Sequence, residues 1–159
     1  MTVKTADLCD RADDVLQVVQ PLFRDFGGHS TFFGPISTVL VREDNALVRE
    51  VLESPGEGRV LVVDGGGSLR CALVGDRLAQ LGIDNQWRGI VIYGCIRDTV
   101  ELSEMPIGVR ALASNPRRSA KNGRGTRDIA VRFADTQFVP GAWLYADADG
   151  IVVSAERCH

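Results

Sequence analysis

The stretch RVLVVDGGGSLRCALVGDRLA at 59–79, together with GIVIYGCIRD at 89–98, decides the fold. Each stretch contains a short apolar run, VLVV at 60–63 or IVIY at 90–93, of the kind that forms a buried strand. Between the two runs, apolar residues repeat at helical spacing over 76–81. Because short apolar strands alternate with helices, the pattern predicts parallel strands joined by right-handed crossovers.

Further elements extend this pattern on both sides. A helix is expected at about 10–19, and a second one after Asn45, which can cap it. A turn is expected at Gly94 and a short helix after Asp98. The remaining strand candidates are short runs rich in apolar or β-branched residues, at 36–41, 109–113, 129–133 and 151–153. The sequence therefore predicts one α/β domain over 1–159, with a parallel core flanked by extra antiparallel strands.

The composition narrows the functional classes. With 159 residues, 45% hydrophobic and 25% charged, the chain is typical of a globular domain. Its net charge of −3 argues against direct nucleic-acid binding, and apolar runs of four residues predict neither a membrane span nor a secretory signal. Four cysteines without a CxxC pair favour reduced thiols and a cytoplasmic location. Neither Lys4 nor Lys121 lies in an apolar context, so a metal is a better electrophile here than a Schiff base.

The glycines at 65–67 suggest one alternative. An apolar strand that runs into glycines is how dinucleotide and S-adenosylmethionine sites begin. Here the spacing is GGGS instead of GxGxxG, and no acidic residue ends a following strand about 20 residues later. A glycine turn that lets backbones approach closely is therefore favoured over a methyltransferase or a dehydrogenase.

GDRL at 75–78 and the pair Arg97-Asp98 carry the strongest signal of chemistry. Gly75 begins a predicted helix, so the following backbone N–H groups are free to bind a carboxylate. Arg97 and Asp98 follow a predicted parallel strand, and ligands bind at the carboxyl ends of such strands. Arginine can hold a carboxylate through two hydrogen bonds, and aspartate can hold Mg²⁺ or Mn²⁺. The structural alternative is an ordinary Arg-Asp pair beside a helix cap.

Five segments strongly resemble the RraA-like family. They are DLCD at 7–10, PLFRDFGG at 21–28, RVLVVDGGGSLRCALVGDRLA at 59–79, GIVIYGCIRD at 89–98 and LYADADGIVVS at 144–154. The resemblance spans nearly the whole chain and is weakest over 114–128. That family contains the 4-hydroxy-4-methyl-2-oxoglutarate aldolases and protein regulators of ribonuclease E, and some members have been labelled demethylmenaquinone methyltransferases.

The resemblance implies roles for individual residues. The family's aldolases carry an Asp, twenty residues, Arg-Asp, and an acidic residue three places later, which Asp76, Arg97, Asp98 and Glu101 match. It implies that Asp98 is the direct metal ligand, that Arg97 grips the substrate carboxylate, and that Asp76 positions a water for proton transfer. The backbone from Gly75 to Leu78 would bind the other end of the 2-oxo acid. The implied substrate-binding residues are Gly75, Asp76, Arg77, Leu78 and Arg97.

The resemblance also implies a fold and an activity. The expected fold is a three-layer β/β/α domain with a central parallel sheet and an additional antiparallel sheet, assembled as a homotrimer. The expected reaction is divalent-metal-dependent cleavage of 4-hydroxy-4-methyl-2-oxoglutarate to two pyruvates. Oxaloacetate decarboxylation would be a side activity, because both reactions pass through a pyruvate enolate. Glu101 or a residue from a neighbouring subunit could complete the site.

A second function stays open, because the same family contains non-catalytic regulators that bind ribonuclease E. Its sequence support is a basic stretch at 117–127 that contains no acidic residue. A solvated loop explains the same stretch. Regulators of this kind can lack the Asp after the Arg, and this chain keeps Asp98, which favours the enzyme.

Overall fold

A ten-stranded mixed sheet forms the centre of the protein in a computed structural model that describes residues 3–159. Residues 1 and 2 of the predicted domain lie outside the described part. The strands are β1 (Leu16–Val18), β2 (Arg24–Asp25), β3 (Phe32–Leu40), β4 (Val60–Asp64), β5 (Ala72–Val74), β6 (Gly89–Ile96), β7 (Gly108–Ser114), β8 (Thr126–Arg127), β9 (Val131–Phe133), β10 (Thr136–Phe138), β11 (Trp143–Asp147) and β12 (Gly150–Ser154). The helices are α1 (Thr5–Ala12), α2 (Ala46–Glu53), α3 (Asp76–Asp84) and α4 (Thr99–Ser103), with a 3-10 helix at Asp13–Val15.

The parallel core predicted from the apolar runs is confirmed. Strands β3, β4, β6 and β7 lie side by side in parallel, and β5 pairs in parallel with the far end of β6. All five residues of β4 are buried, which explains why VLVVD shows no polar alternation. Parallel strands place their carboxyl ends at one edge of the sheet, and the first turns of α3 and α4 follow at that edge.

Strand β3 joins the parallel core to an antiparallel region. Its first half pairs antiparallel with β11, from Phe32 to Pro35, and its second half pairs in parallel with β4, from Ile36 to Leu40. Beyond β11 the order continues through β12 to β1, and β9 and β10 form a separate two-stranded sheet. The predicted α/β class, with a parallel core and additional antiparallel strands, is confirmed.

Two apolar clusters separate three layers. On one face of the parallel sheet, α2, α3 and α4 pack over a cluster that includes Val51, Leu78 and Leu102. On the opposite face, β9 to β12 cover a second cluster that includes Phe138 and Leu144. Within residues 3–159, none of the helices is both long enough and apolar enough to cross a membrane.

The helix predicted at 10–19 is wrong. Helix α1 ends at Ala12, and after the 3-10 helix the chain becomes β1, in which Leu16 to Val18 pair antiparallel with β12. The run VLQVV is rich in β-branched residues. It pairs with the outer edge of β12, which would otherwise be exposed. Over so short a segment, the spacing of its apolar residues fits both a helix and a strand. The pairing with β12 determines which of the two forms.

Two local expectations need correction. The turn expected at Gly94 is instead an irregularity within β6, where the register with β7 shifts between Ile92 and Cys95 before the strand continues. Asn45 occupies the cap position of α2, but its side chain donates to Leu73 O at 3.0 Å. The carboxylate of Asp44 accepts from the Ala46 N–H at 3.1 Å instead.

Candidate functional site

Strands β5 and β6 bring the two predicted segments together. Helix α3 begins immediately after Gly75, and the Arg97 N–H donates to Val74 O at 3.0 Å, so the chain leaving β6 lies against the chain leaving β5. This contact places Arg97 and Asp98 beside the first turn of α3, at the carboxyl edge of the sheet. The convergence predicted from the strand pattern is therefore present.

Asp98 is held in place through both its backbone carbonyl and its carboxylate. Its φ of +62° lies in the left-handed region, and its carbonyl accepts the Leu102 N–H at 2.9 Å, so Asp98 starts α4. Its carboxylate oxygen Oδ2 accepts the Asp76 N–H at 2.9 Å. A Cβ atom on Gly75 would lie 2.5 Å from that oxygen, so this approach requires glycine.

Arg97 keeps most of its hydrogen-bonding capacity. It is half-buried, and its Nη1 donates only a long bond of 3.4 Å to Pro116 O. Within the described chain it forms no ion pair. The Arg77 and Leu78 N–H groups, at the start of α3, likewise have no partner among residues 3–159. A planar carboxylate between Arg97 and α3 would satisfy both sets of donors.

A cavity of about 420 Å³ joins these residues to a region that the sequence did not predict. All the predicted substrate-binding residues line it, and so do Asn45, Arg49, Arg118, Ser119 and Lys121. Five cationic side chains and two carboxylates, those of Asp76 and Asp98, face the same space. Arg49 pairs with Glu53 at 2.7 Å, and the other four cations have no ion pair within the described chain. The cavity therefore favours an anion with more than one negative charge.

Some predicted residues lie elsewhere. Glu101 is exposed in the first turn of α4 and does not line the cavity of this protomer. From the basic stretch, Arg118 and Lys121 contribute to the wall, whereas Arg117, Arg124 and Arg127 do not. The stretch is thus only partly a solvated loop. No local sequence signal separates its cavity-facing residues from the others.

Two neighbouring cysteines are unsuited to nucleophilic chemistry. Cys71 and Cys95 are buried and free. Burial raises the pKa of the Cys95 thiol, and burial together with the nearby Glu43 carboxylate raises that of Cys71. Both therefore stay protonated at neutral pH, as expected for structural thiols.

The glycine turn at 65–67 uses its N–H groups internally. Those of Gly65 and Gly67 donate to Tyr93 O at 3.1 and 3.0 Å, and that of Gly66 donates to Asp64 Oδ1 at 2.9 Å. A phosphate-binding loop needs such donors free. The arrangement supports the glycine-turn interpretation over a nucleotide site.

The residues fit a divalent cation that is held jointly with a ligand. Among residues 3–159, no cluster of three or more His, Cys, Asp or Glu side chains could bind a metal ion by itself. The Oδ1 atom of Asp98 has no hydrogen-bond partner in the described chain, and Oδ2 has only the Asp76 N–H. Mg²⁺ is commonly held by one or two carboxylates, several waters and oxygens of the substrate. Asp98 is suited to supply the protein ligand of such a site.

A sequence profile of known proteins matches this chain over residues 5–153, and the profile is described as RraA-like, Aldolase/RraA. The chain belongs to the RraA-like family. Two RraA-like relatives are 58% identical to it: one from Laribacter hongkongensis over 98% of both chains, and one from Alkalilimnicola ehrlichii over 97% of this chain and 96% of the relative. Each is named "Putative 4-hydroxy-4-methyl-2-oxoglutarate aldolase".

Two solved structures share the RraA-like fold closely. The RNA-processing inhibitor RraA from Thermus thermophilis is 45% identical with a TM-score of 0.96, over 100% of this chain and 96% of that one. A Geobacillus kaustophilus protein described as an S-adenosylmethionine: 2-dimethylmenaquinone methyltransferase is 52% identical with a TM-score of 0.94, over 98% and 96%. In the RraA-like chain described here, the glycine turn with its internally bonded N–H groups gives no support to a methyltransferase.

Proposed function

We propose that this protein is a divalent-metal-dependent aldolase that cleaves 4-hydroxy-4-methyl-2-oxoglutarate into two molecules of pyruvate. The observation that carries the proposal is the convergence of Arg97, Asp98 and the unpaired N–H groups of α3 on one strongly cationic cavity. The names of the relatives support the same substrate. This substrate has a 2-oxo carboxylate and a second carboxylate, which matches a cavity with an excess of positive charge.

Binding uses two groups of donors. Arg97 holds the carboxylate of the 2-oxo acid through its guanidinium, and the N–H groups of Arg77 and Leu78 orient the other oxygens of that end. The second carboxylate then binds Arg118 and Lys121, which line the same cavity. Holding both ends fixes the bond between C3 and C4 in one place, which lowers the entropic part of the barrier.

Asp98 would hold the divalent cation, either Mg²⁺ or Mn²⁺. When bound, the cation supplies Lewis acidity to the 2-oxo group and favours negative charge there by several kcal/mol. Asp98 itself is kept in place by the Asp76 N–H and by its role as the first residue of α4. The carboxylate is therefore fixed before substrate arrives, which limits the reorganisation that binding requires.

We assign the proton transfer to Asp76. Its side chain lines the cavity beside Asp98. In the cleavage direction, the C4 hydroxyl loses its proton to Asp76, directly or through a water, as the C3–C4 bond breaks. C4 becomes the keto carbon of one pyruvate, and C3 takes up a proton to give the second. Oxaloacetate that loses CO₂ leaves the same three-carbon fragment, so we propose oxaloacetate decarboxylation as a side activity.

A homotrimer in the cytoplasm completes the proposal. In an assembly, Glu101 or an acidic residue from a neighbouring subunit could approach the cavity, which two carboxylates line among residues 3–159 of one protomer. The four cysteines are free, as a reducing compartment requires.

A second function, binding and inhibition of ribonuclease E, has independent support. The similar Thermus protein is described as an RNA-processing inhibitor. In the present chain, Arg117 and Arg124 are exposed outside the cavity and form no ion pair among residues 3–159, whereas the exposed Arg127 pairs with Asp128 at 3.3 Å. Retention of ribonuclease E on the Asp98→Ala variant would establish this role separately from catalysis.

The test of the proposed aldolase is pyruvate release from 4-hydroxy-4-methyl-2-oxoglutarate and from oxaloacetate. Each substrate is assayed with Mg²⁺, with Mn²⁺ and with excess chelator. Asp98→Ala is compared with Glu104→Gln, an exposed acid at the end of α4 that leaves the cavity intact. Metal-dependent turnover of both substrates that only Asp98→Ala abolishes is expected. A folded protein that turns over neither substrate with metal present contradicts the aldolase and leaves the regulator.

A further inference from the structure

We infer that Asp44 is a positioning residue whose carboxylate holds the loop at 121–124, which carries Lys121 into the cavity wall and thereby selects 2-oxo acids with a second carboxylate. This inference rests on the proposed function, because it concerns the substrate of the same site. Asp44 lies at the start of α2, does not line the cavity, and would act only through the loop.

The contacts of Asp44 are almost all with that loop. The residue is buried, with 3% of its surface exposed. Its Oδ2 accepts the N–H groups of Asn122 at 2.9 Å and Arg124 at 3.3 Å. Its Oδ1 accepts those of Gly123 at 3.3 Å and Ala46 at 3.1 Å. One carboxylate thus gathers three consecutive backbone donors of the loop around itself.

The Asp44 carboxylate and the three N–H groups of 122–124 form a clamp. The residues on either side of Asp44 add further contacts to it. Backbone hydrogen bonds of 2.9 and 3.1 Å join Ala120 to Glu43 O and to the Asn45 N–H. The Asn45 side chain continues to Leu73 O in β5, two residues before Gly75. The segment 43–45 therefore connects the basic loop directly to the strand that carries the binding end of α3.

The loop at 121–124 depends on this carboxylate more than the residues before it do. Residues 117 and 118 have other anchors, because the Ala72 N–H donates to Arg117 O at 2.7 Å and Ala72 pairs with Arg118. Residues 121–124 are exposed and have no regular secondary structure, and the N–H groups of 122–124 donate to Asp44. Ordering such a segment costs backbone entropy, which the Asp44 contacts help to offset.

Asp44 stays ionised while it does this. Burial raises its pKa, but the hydrogen bonds from Ala46, Arg124, Asn122 and Gly123 outweigh burial and lower the pKa below its ordinary value. The charge therefore persists throughout the neutral range, and the loop amides keep a strong acceptor.

The clamp is expected to affect selectivity because different elements position the two ends of the cavity. Arg97 and α3 bind the 2-oxo acid end and are positioned by β5 and β6. Lys121 also lines the cavity but is carried by the loop, and we assign it to the other end of the substrate. Arg118 lines the cavity too, but its pairing with Ala72 in β5 positions it independently of Asp44. Loss of the clamp should weaken binding of the distal carboxylate and leave the 2-oxo acid end intact.

The experiment combines a structural and a kinetic measurement on Asp44→Asn and Asp44→Ala in the full-length protein. Asp147→Asn is the matched control, because Asp147 also accepts backbone N–H groups, from Thr5 at 2.7 Å and Asp149 at 3.0 Å, at the opposite edge of the sheet. Amide hydrogen exchange at 122–124 reports on the loop directly. KM for 4-hydroxy-4-methyl-2-oxoglutarate and the inhibition constant of pyruvate, which lacks the distal carboxylate, report on the two ends of the cavity.

In the Asp44 variants, exchange at 122–124 is expected to accelerate, and KM to rise roughly 10- to 100-fold, as for the loss of charge-assisted contacts. The inhibition constant of pyruvate should stay within about twofold, whereas general destabilisation would move both constants together. Lys121→Ala should raise KM in the parent protein and add little in the Asp44→Asn background, since the loop is already released. If Asp44→Ala fails to fold, the comparison of Lys121→Ala in the parent protein and in the Asp44→Asn background still tests the inference.

Two results would overturn the inference. One is unchanged exchange at 122–124 in a folded Asp44 variant, which would mean that the loop is held by other contacts. The other is an equal rise in KM and in the pyruvate inhibition constant. If the parent protein turns over no 2-oxo acid, the proposed function fails and selectivity fails with it, while the exchange data still decide whether Asp44 holds the loop.

Discussion

A single added methyl group should disable the site, because Gly75 lies against the proposed metal ligand. In the Gly75→Ala variant, the new Cβ would lie 2.5 Å from Asp98 Oδ2 and 3.3 Å from Arg97 Cγ. The backbone of Gly75 has a φ of −133°, which alanine adopts without strain, so the main cost to the site is the clash. Gly75 is also the N-cap of α3, where alanine is less favourable than glycine, so stability is measured alongside activity.

The size of the displacement follows from these distances. A Cβ atom essentially never approaches another heavy atom within 3.0 Å, so the Asp98 carboxylate must move by about half an ångström or more. That movement stretches the 2.9 Å hydrogen bond from the Asp76 N–H toward breaking. Misplacement of a reacting group by about 1 Å can cost on the order of 100-fold in rate, and we expect a loss approaching that size.

The assay is pyruvate release with saturating Mg²⁺, together with thermal unfolding of both variants. Gly82→Ala is the matched control, because it makes the same substitution in α3 and its nearest neighbour is a side-chain methyl of Ile107 at 3.0 Å. Alanine also favours the helix at position 82 by about 1 kcal/mol. Activity of Gly75→Ala within about threefold of the parent, in a protein that still requires Asp98, would refute the proposed packing of the carboxylate.

Three further outcomes follow from the same geometry. Asp98→Asn should lower aldol cleavage and oxaloacetate decarboxylation together, each by at least about 100-fold, since one cation assists both; loss of only one in the pyruvate assay would mean separate sites. Arg97→Lys keeps the charge but loses the planar pair of donors, so KM should rise about tenfold with a smaller change in kcat. Although burial raises the pKa of Asp147, hydrogen bonds from Thr5 and Asp149 lower it overall. Because the pKa of Asp147 is lower in the folded than in the unfolded protein, its ionised carboxylate stabilises the fold at pH values above the ordinary pKa. That stabilisation is lost as pH falls from the ordinary pKa through the lowered one, so stability should decline below about pH 4. Asp147→Asn should flatten this decline in denaturant titrations.

The sequence was most informative where burial and function both act locally. The runs VLVV and IVIY predict β4 and β6 because a strand covered on both faces has no polar alternation. From their order alone, Arg97 and Asp98 could be placed at the carboxyl edge beside α3. The resemblance then assigned roles to these residues, and the structure brings them together.

The sequence was least informative where position depends on distant contacts. Arg118 lies at the cavity beside its partner Ala72, and Lys121 lies next to amides that Asp44 binds from 78 to 80 positions earlier in the chain. Neither pairing leaves a periodic signal. The segment that forms β1 was mistaken for a helix for a related reason. Its strand conformation is determined by pairing with β12 at the far end of the chain. In both cases a short segment takes its structure from a partner that local pattern cannot identify.

The charges of the cavity also constrain how a cation and a substrate can bind. Among residues 3–159, four cations without ion pairs line the cavity together with the carboxylates of Asp76 and of Asp98, the proposed metal ligand. Such surroundings repel a free divalent cation, whereas a substrate with two carboxylates offsets that repulsion and supplies further oxygen ligands. By linkage, each ligand then raises the affinity of the site for the other by the same factor. A cavity of this kind would suit an enzyme that acquires its cation together with its substrate, with Asp98 as the proposed ligand from this protomer.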